Sequence, residues 1–168
     1  MRLFIAIELS AEIKRELAAV SRALRERATG GRFVPTDNMH ITLRFIGETD
    51  DAEGLSAAMR EACRGARPFT VSLGSCGFFE RTASGNHRVY LVTVGGELDK
   101  LFQLRSALET ALEERGVKRD PKPFVPHITL GRNVGLDELA ALELERIGLK
   151  GSAAVSGVTL FESTKRNG

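Results

Sequence analysis

"HITLRFIG" (His40–Gly47) and "HITLGRNVG" (His127–Gly135) put two of the chain's three histidines at the head of the same tetrapeptide, at an offset of 87. If the tetrapeptide were only a good strand, Val or Thr would suit its first position at least as well as His. The duplication therefore asks for a reason beyond strand propensity. Outward from the two copies, further landmarks recur in the same order. "RLFIAIEL" from Arg2 matches "RVYLVTVG" from Arg88, and "FFERT" around Phe79 matches "LFEST" (Leu160–Thr164), at nearly the same spacing. Three aligned landmarks predict a single domain built from two similar halves, roughly 1–85 and 86–168.

Each half reads as β-α-β-α-β. "RLFIAIEL" is a short apolar run of strand type, and Ser10 is placed to cap a helix whose inner face carries Ile13, Leu17, Val20 and Leu24. Gly30 and Gly31 end it, and the chain passes through a loop into the strand that carries His40. Asp50 or Asp51 opens a second helix with Leu55, Met59 and Ala62 inside, and "PFTVSLGSCGFF" returns as a strand. In the second half Leu98, Leu101, Leu104, Leu108 and Leu112 mark one helix, and Asp137 caps the other. The fold class is α/β (α+β) with two lobes related by a pseudo-twofold, their sheets facing a central cleft and their helices outside.

Composition sets limits on partners. A chain of 168 residues can bury about 70% of its unfolded surface, enough for a substantial core. A formal net charge of +2 is too small for a protein that coats nucleic acid through a broad basic face, and leaves room only for local phosphate contacts. Cys63 and Cys76 form no C-x-x-C pattern and read as reduced, buried thiols, and "MRLFIAIELS" does not resemble a secretory leader. A cytoplasmic monomer with no membrane span is expected.

Strand alternation puts His40 and Thr42 on one face and Ile41 and Leu43 on the other, and separates His127 and Thr129 from Ile128 and Leu130 in the same way. With the apolar pairs turned toward the helices, two imidazoles and two hydroxyls line a shared cleft. A ring that titrates near neutrality can be proton acceptor or donor, and a pair of them can serve both the nucleophile and the leaving group of a phosphodiester. Hydroxyls beside them can hold the non-bridging oxygens, where charge sits during displacement.

One strand histidine alone is more often a hydrogen-bonded structural residue than a catalyst. Two in register reverse that preference. Zinc fits badly, because the repeat supplies two imidazoles and no recurring third ligand, and His87 in "SGNHRVY" has no counterpart in the first half. No cofactor or metal is expected. Arg132 follows Gly131, where a bulge can turn it into the cleft, whereas Arg44 is expected on the helix side or at the rim. Phe33 and Phe124, each opening an "FVP" segment, are available for base stacking or for the core. Arg81, Arg88, Lys118, Arg119 and Lys122 are available to guide a phosphodiester backbone toward the cleft or as solvated charge.

"RLFIAIEL", "RFVPTDNMHITLRFIGE" and "KPFVPHITLGR" together resemble the two-histidine (2H) phosphoesterase superfamily, and within it the RNA 2′,3′-cyclic phosphodiesterase group also called 2′–5′ RNA ligase. The resemblance implies a bilobal fold and hydrolysis of a cyclic phosphate at an RNA or nucleotide end to a 2′-phosphate, with 2′–5′ joining as the reverse reaction in some relatives. It places the catalytic histidines at His40 and His127, and phosphate binding at Thr42, Thr129 and Arg132. On that basis His127 is assigned as general base and His40 as general acid, with the exchange of roles left open. Two other readings remain: a phosphodiesterase for a small cyclic nucleotide or ADP-ribose cyclic phosphate, and a non-catalytic RNA-end binding module. Relatives usually continue beyond the equivalent of "LFESTKRNG" with a tyrosine-bearing strand; the sequence here ends at Gly168, so an exposed sheet edge is expected.

Overall fold

Leu3, Ile5 and Ile7 alternate along the first strand and are all buried, which turns Phe4, Ala6 and Glu8 to the other face of β1 (Arg2–Glu8). The computed structural model describes residues 1–80 and 87–164, so Arg81 lies outside the described residues. Helix α1 (Ala11–Arg27) starts where Ser10 Oγ accepts the Ile13 N–H, satisfying one of the orphan donors of its first turn. It buries Ile13, Leu17, Val20 and Leu24, the stripe expected from their spacing. β2 (Arg32–Phe33) and a single 3₁₀ turn (Thr36–Asn38) lead into β3 (His40–Glu48). Asp51 caps α2 (Ala52–Cys63), and β4 (Phe69–Glu80) follows.

The second half repeats the order with β5 (Arg88–Gly96), α3 (Leu98–Glu113), β6 (His127–Val134) and α4 (Glu138–Glu145), the last capped by Asp137 at Ala140 N. It closes with β7 (Ser152–Val155) and β8 (Thr159–Glu162). β7 was not legible in the sequence: "SAAV" has neither the alternation nor the β-branched content of a strand, and it forms because β4 offers it an edge from Phe69 to Ser72.

Strands are arranged β7-β4-β5-β6-β3-β1-β8, with β2 paired to β6. The two expected sheets are thus joined into one, through a single antiparallel pair, Ile41↔Ile128. Both isoleucines are fully buried. Burying each side chain contributes about 1.5–3 kcal/mol, and a one-residue slip would forfeit that by turning the histidines into the core. The halves also exchange their last strands: β4 pairs with β5 of the second half, and β8 pairs with β1 of the first. Helices pack α1 against α4 and α2 against α3.

Candidate active site

The Ile41↔Ile128 pair decides where the histidines go. In that register His40 stands across from Thr129 and Thr42 across from His127, all four on the face opposite the buried isoleucines. The histidines occupy diagonal corners of this rectangle, a separation of about 7–8 Å between strand positions.

Each ring is held in the same way. His40 Nδ1 lies 2.6 Å from the Asn38 carbonyl oxygen, and His127 Nδ1 lies 2.7 Å from that of Val125. A carbonyl has no proton to give, so both Nδ1 atoms donate, and each Nε2 is left to exchange a proton with whatever occupies the cleft. The two carbonyls stand at the same offset of 87 as the histidines themselves. Neither was legible in the sequence, because a backbone acceptor has no residue type. Aromatic rings complete the mirrored surroundings. Phe161 lies 5.9 Å from His40 between centroids and Phe79 lies edge-on to His127 at 5.1 Å, while Phe4 adds a second ring 4.9 Å from His40. Phe79 and Phe161 come from the matched "FFERT" and "LFEST" segments, so the repeat carried this information. Strand exchange brings each to the histidine of the other half.

Burial, before any other cause, holds the His40 pKa below the ordinary histidine value. Its hydrogen bond to Asn38 opposes the shift, and the positive charge of Arg132, with His127 and Lys14, adds to it. His40 therefore favours its neutral form in the free protein.

Arg132 enters the cleft by way of a bulge. Leu91 pairs with Thr129 and Tyr90 with Gly131, so β6 spends an extra residue there and its alternation inverts. Gly131 is required at that point: a Cβ would sit 2.9 Å from Val134 Cγ2 and 3.1 Å from the Phe33 ring. Phe33 packs partly buried against the core and so takes the structural one of its two expected uses. β3 carries a matching irregularity, since Thr42 pairs with Ala6 and Arg44 with Ile5. It buries Arg44 on the helix side and turns Phe45, the counterpart of Arg132, into the cleft with 60% of its surface exposed. Simple alternation hides Phe45, and the sequence reading passed over it.

Two adjoining cavities meet at Phe45, Thr129 and Arg132. One, of about 470 Å³, holds His40, Phe4, Phe161 and Lys14; the other, of about 280 Å³, holds His127, Thr42, Phe79, Lys122 and Phe124. Of the expected guiding cations, Lys122 reaches the cleft. Arg88 lies over the Phe78 ring and pairs with Glu80, and Arg119 pairs with Glu113. His87 is exposed ahead of β5, and no three metal-ligating side chains converge among the described residues.

The family model of the 2′–5′ RNA ligase superfamily matches residues 7–167. The chain belongs to the 2′–5′ RNA ligase superfamily. Within this superfamily, the RNA 2′,3′-cyclic phosphodiesterase of Thermotoga maritima is 36% identical over 135 residues, which span 79% of this chain and 70% of that protein. That of Escherichia coli is 34% identical over 168 residues, 99% of this chain and 89% of the relative. The crystal structure of Escherichia coli LigT complexed with 3′-AMP superposes with a TM-score of 0.75 at 32% identity, covering 99% of this chain and 90% of the other.

Proposed function

We propose that this 2′–5′ RNA ligase superfamily member hydrolyses the 2′,3′-cyclic phosphodiester at an RNA or nucleotide end to a 2′-phosphate, by metal-independent acid–base catalysis, with 2′–5′ joining as the reverse reaction. The observation that carries the reading is the mirrored pair of rings, each pinned at Nδ1 to a carbonyl and lining one of two adjoining cavities that share Thr129 and Arg132. The named activities of the relatives and the nucleotide bound to LigT support it. A water oxygen attacks phosphorus while one Nε2 takes its proton. The P–O3′ bond breaks, and the other Nε2 gives its proton to the departing O3′. Charge gathers on the two non-bridging oxygens, within reach of the Thr42 and Thr129 hydroxyls and the Arg132 guanidinium. The aromatic wall of Phe4, Phe45 and Phe161 offers a face for the base.

The lowered His40 pKa supports exchanging the roles assigned from resemblance: His40, neutral in the free enzyme, is the base, and His127 delivers the proton to O3′. A base works only when unprotonated, so kcat/KM should fall as pH drops through the His40 pKa. The acid limb is expected below about 6.5, the ordinary histidine value. Because the limbs of the profile belong to the pair, the assignment is read from the His40 ring itself: NMR titration that places it at or above that value returns the base role to His127.

The deciding assay presents a 2′,3′-cyclic-phosphate-ended oligonucleotide and the corresponding mononucleotide, both with chelator present. Turnover of the oligonucleotide to a 2′-phosphate is expected. Preference for the mononucleotide would favour a small cyclic nucleotide as substrate, tight binding without turnover would favour an RNA-end binding module, and loss of activity to chelator would reject the metal-free mechanism. Cys63 and Cys76 are both free, which supports the cytoplasmic setting. No described helix is long and apolar enough to cross a membrane.

A further inference from the structure

The 13 residues between α3 and β6 form neither helix nor strand, yet their last turn must present the Val125 carbonyl to His127. A long irregular segment holds such a position only if its backbone groups are fastened elsewhere. The fasteners are buried charges. Glu109 of α3 is 4% exposed, and its Oε2 accepts the Asp120 N–H at 3.0 Å. Its Oε1 lies 2.7 Å from Arg44 Nε, a charge contact off the line of a hydrogen bond, and 3.2 Å from Arg105 Nη1. Arg44 also donates to the Lys118 carbonyl and, at 3.0 Å, to that of Phe45. Arg105 donates to the Leu43 carbonyl at 2.6 Å, lies 3.7 Å from the Asp120 carboxylate and sits over the Phe124 ring at 5.2 Å. Two cations and two anions thus tie the lead-in of β6 to the strand that carries His40.

The other half does the same job by different means, and the comparison gives the cluster its meaning. The lead-in to His40 is held by backbone pairing, with Arg32 and Phe33 of β2 against Arg132 and Gly131, and Val34 N–H donating to the Leu130 carbonyl. That close approach needs the bare glycine at 131. The counterpart of Gly131 in the first half is Arg44, whose buried side chain reaches the Lys118 carbonyl and Glu109 instead. Where one half docks a strand, the other docks a salt-bridge cluster, and both ends of the comparison deliver a carbonyl two residues ahead of a histidine.

From this we infer that Glu109, with Arg44 and Arg105, is a positioning residue that orients His127 by fixing the Lys118–Val125 segment. The inference rests on the proposed role of His127 in turnover, but its spectroscopic test does not. With three histidines in the chain, the ring signals of each can be followed separately by NMR. The charged groups that share the His127 cavity are Arg44, Arg105, Asp120, Lys122 and Arg132, with His40 across the strand pair, and the first three belong to the cluster.

In Glu109→Gln the His127 Nδ1 proton should exchange with water at least about 10-fold faster, while the His40 Nδ1 proton is unchanged. kcat should fall on the order of 10-fold with KM held within about twofold, because misaiming a proton-transfer group spares ground-state binding. Equal changes at both rings would mean a general loosening and overturn the inference, as would no change at either. If Glu109→Gln does not fold, Asp120→Ala, which loosens the same segment from its solvent side, must give the same selective change at His127. Absence of hydrolysis by the wild-type protein would overturn the functional reading and leave the ring-proton result to judge Glu109 by itself.

Discussion

Alanine at His40 or at His127 is expected to lower kcat for a 2′,3′-cyclic-phosphate end on the order of 10²–10⁴-fold, the usual worth of a positioned proton-transfer group. The effect belongs to the chemical step and not to the fold. Both rings are only partly buried, and the apolar residues that set their strands in place, Ile41 and Ile128, are untouched. An unchanged melting temperature alongside the lost rate is therefore expected. The double variant should lose much less than the product of the two single losses, because two groups acting on one transition state are not independent. Near-normal turnover in either single variant, measured with the circular dichroism spectrum intact, would remove the mechanism proposed for both.

Arg132→Ala should cost about 10²–10³-fold in kcat/KM, the scale of removing one preorganised donor to a developing oxyanion charge. Its place in both cavities, beyond the Gly131 bulge, aims the guanidinium at the region between the rings. Arg132→Lys should recover only a small part of the loss, since a single ammonium cannot reproduce a planar two-pronged donor to two phosphate oxygens. The same variant also tests the origin of the His40 shift. With a positive neighbour removed, the His40 pKa rises toward its ordinary value, and the acid limb of the rate profile moves up with it. An acid limb that stays in place would show that burial accounts for the shift without help from Arg132.

The parts of the site legible in the sequence were those written twice. His40 with Thr42 and His127 with Thr129 repeat at one offset, and strand alternation was enough to put each pair on one face. Arg132 was legible for a different reason: resemblance singled it out, and the glycine before it offered a break in the alternation that would otherwise turn it away. The same break in β3 went unread because Arg44, not glycine, stands there, and a full side chain gives no hint of a bulge; Phe45 was missed with it. The carbonyls of Asn38 and Val125 were hidden in principle, since hydrogen bonding by the main chain depends on path and not on residue type. Helix caps were legible at Ser10 and Asp137, and narrowed to Asp50 or Asp51, of which Asp51 is the cap, because there a side chain oxygen meets a nearby N–H. The partners of β4 and β8 were not, because apolar strands of equal quality pair as well with the other half as with their own.

That crossing of final strands has a consequence for how activity is acquired during folding. Glu8 and Thr159 meet across 151 positions of chain, and β8 brings Phe161 to lean on His40 from almost as far. Contacts so remote are among the slowest to close. A chain emerging from synthesis therefore carries both imidazoles before its last strand can complete the wall beside His40.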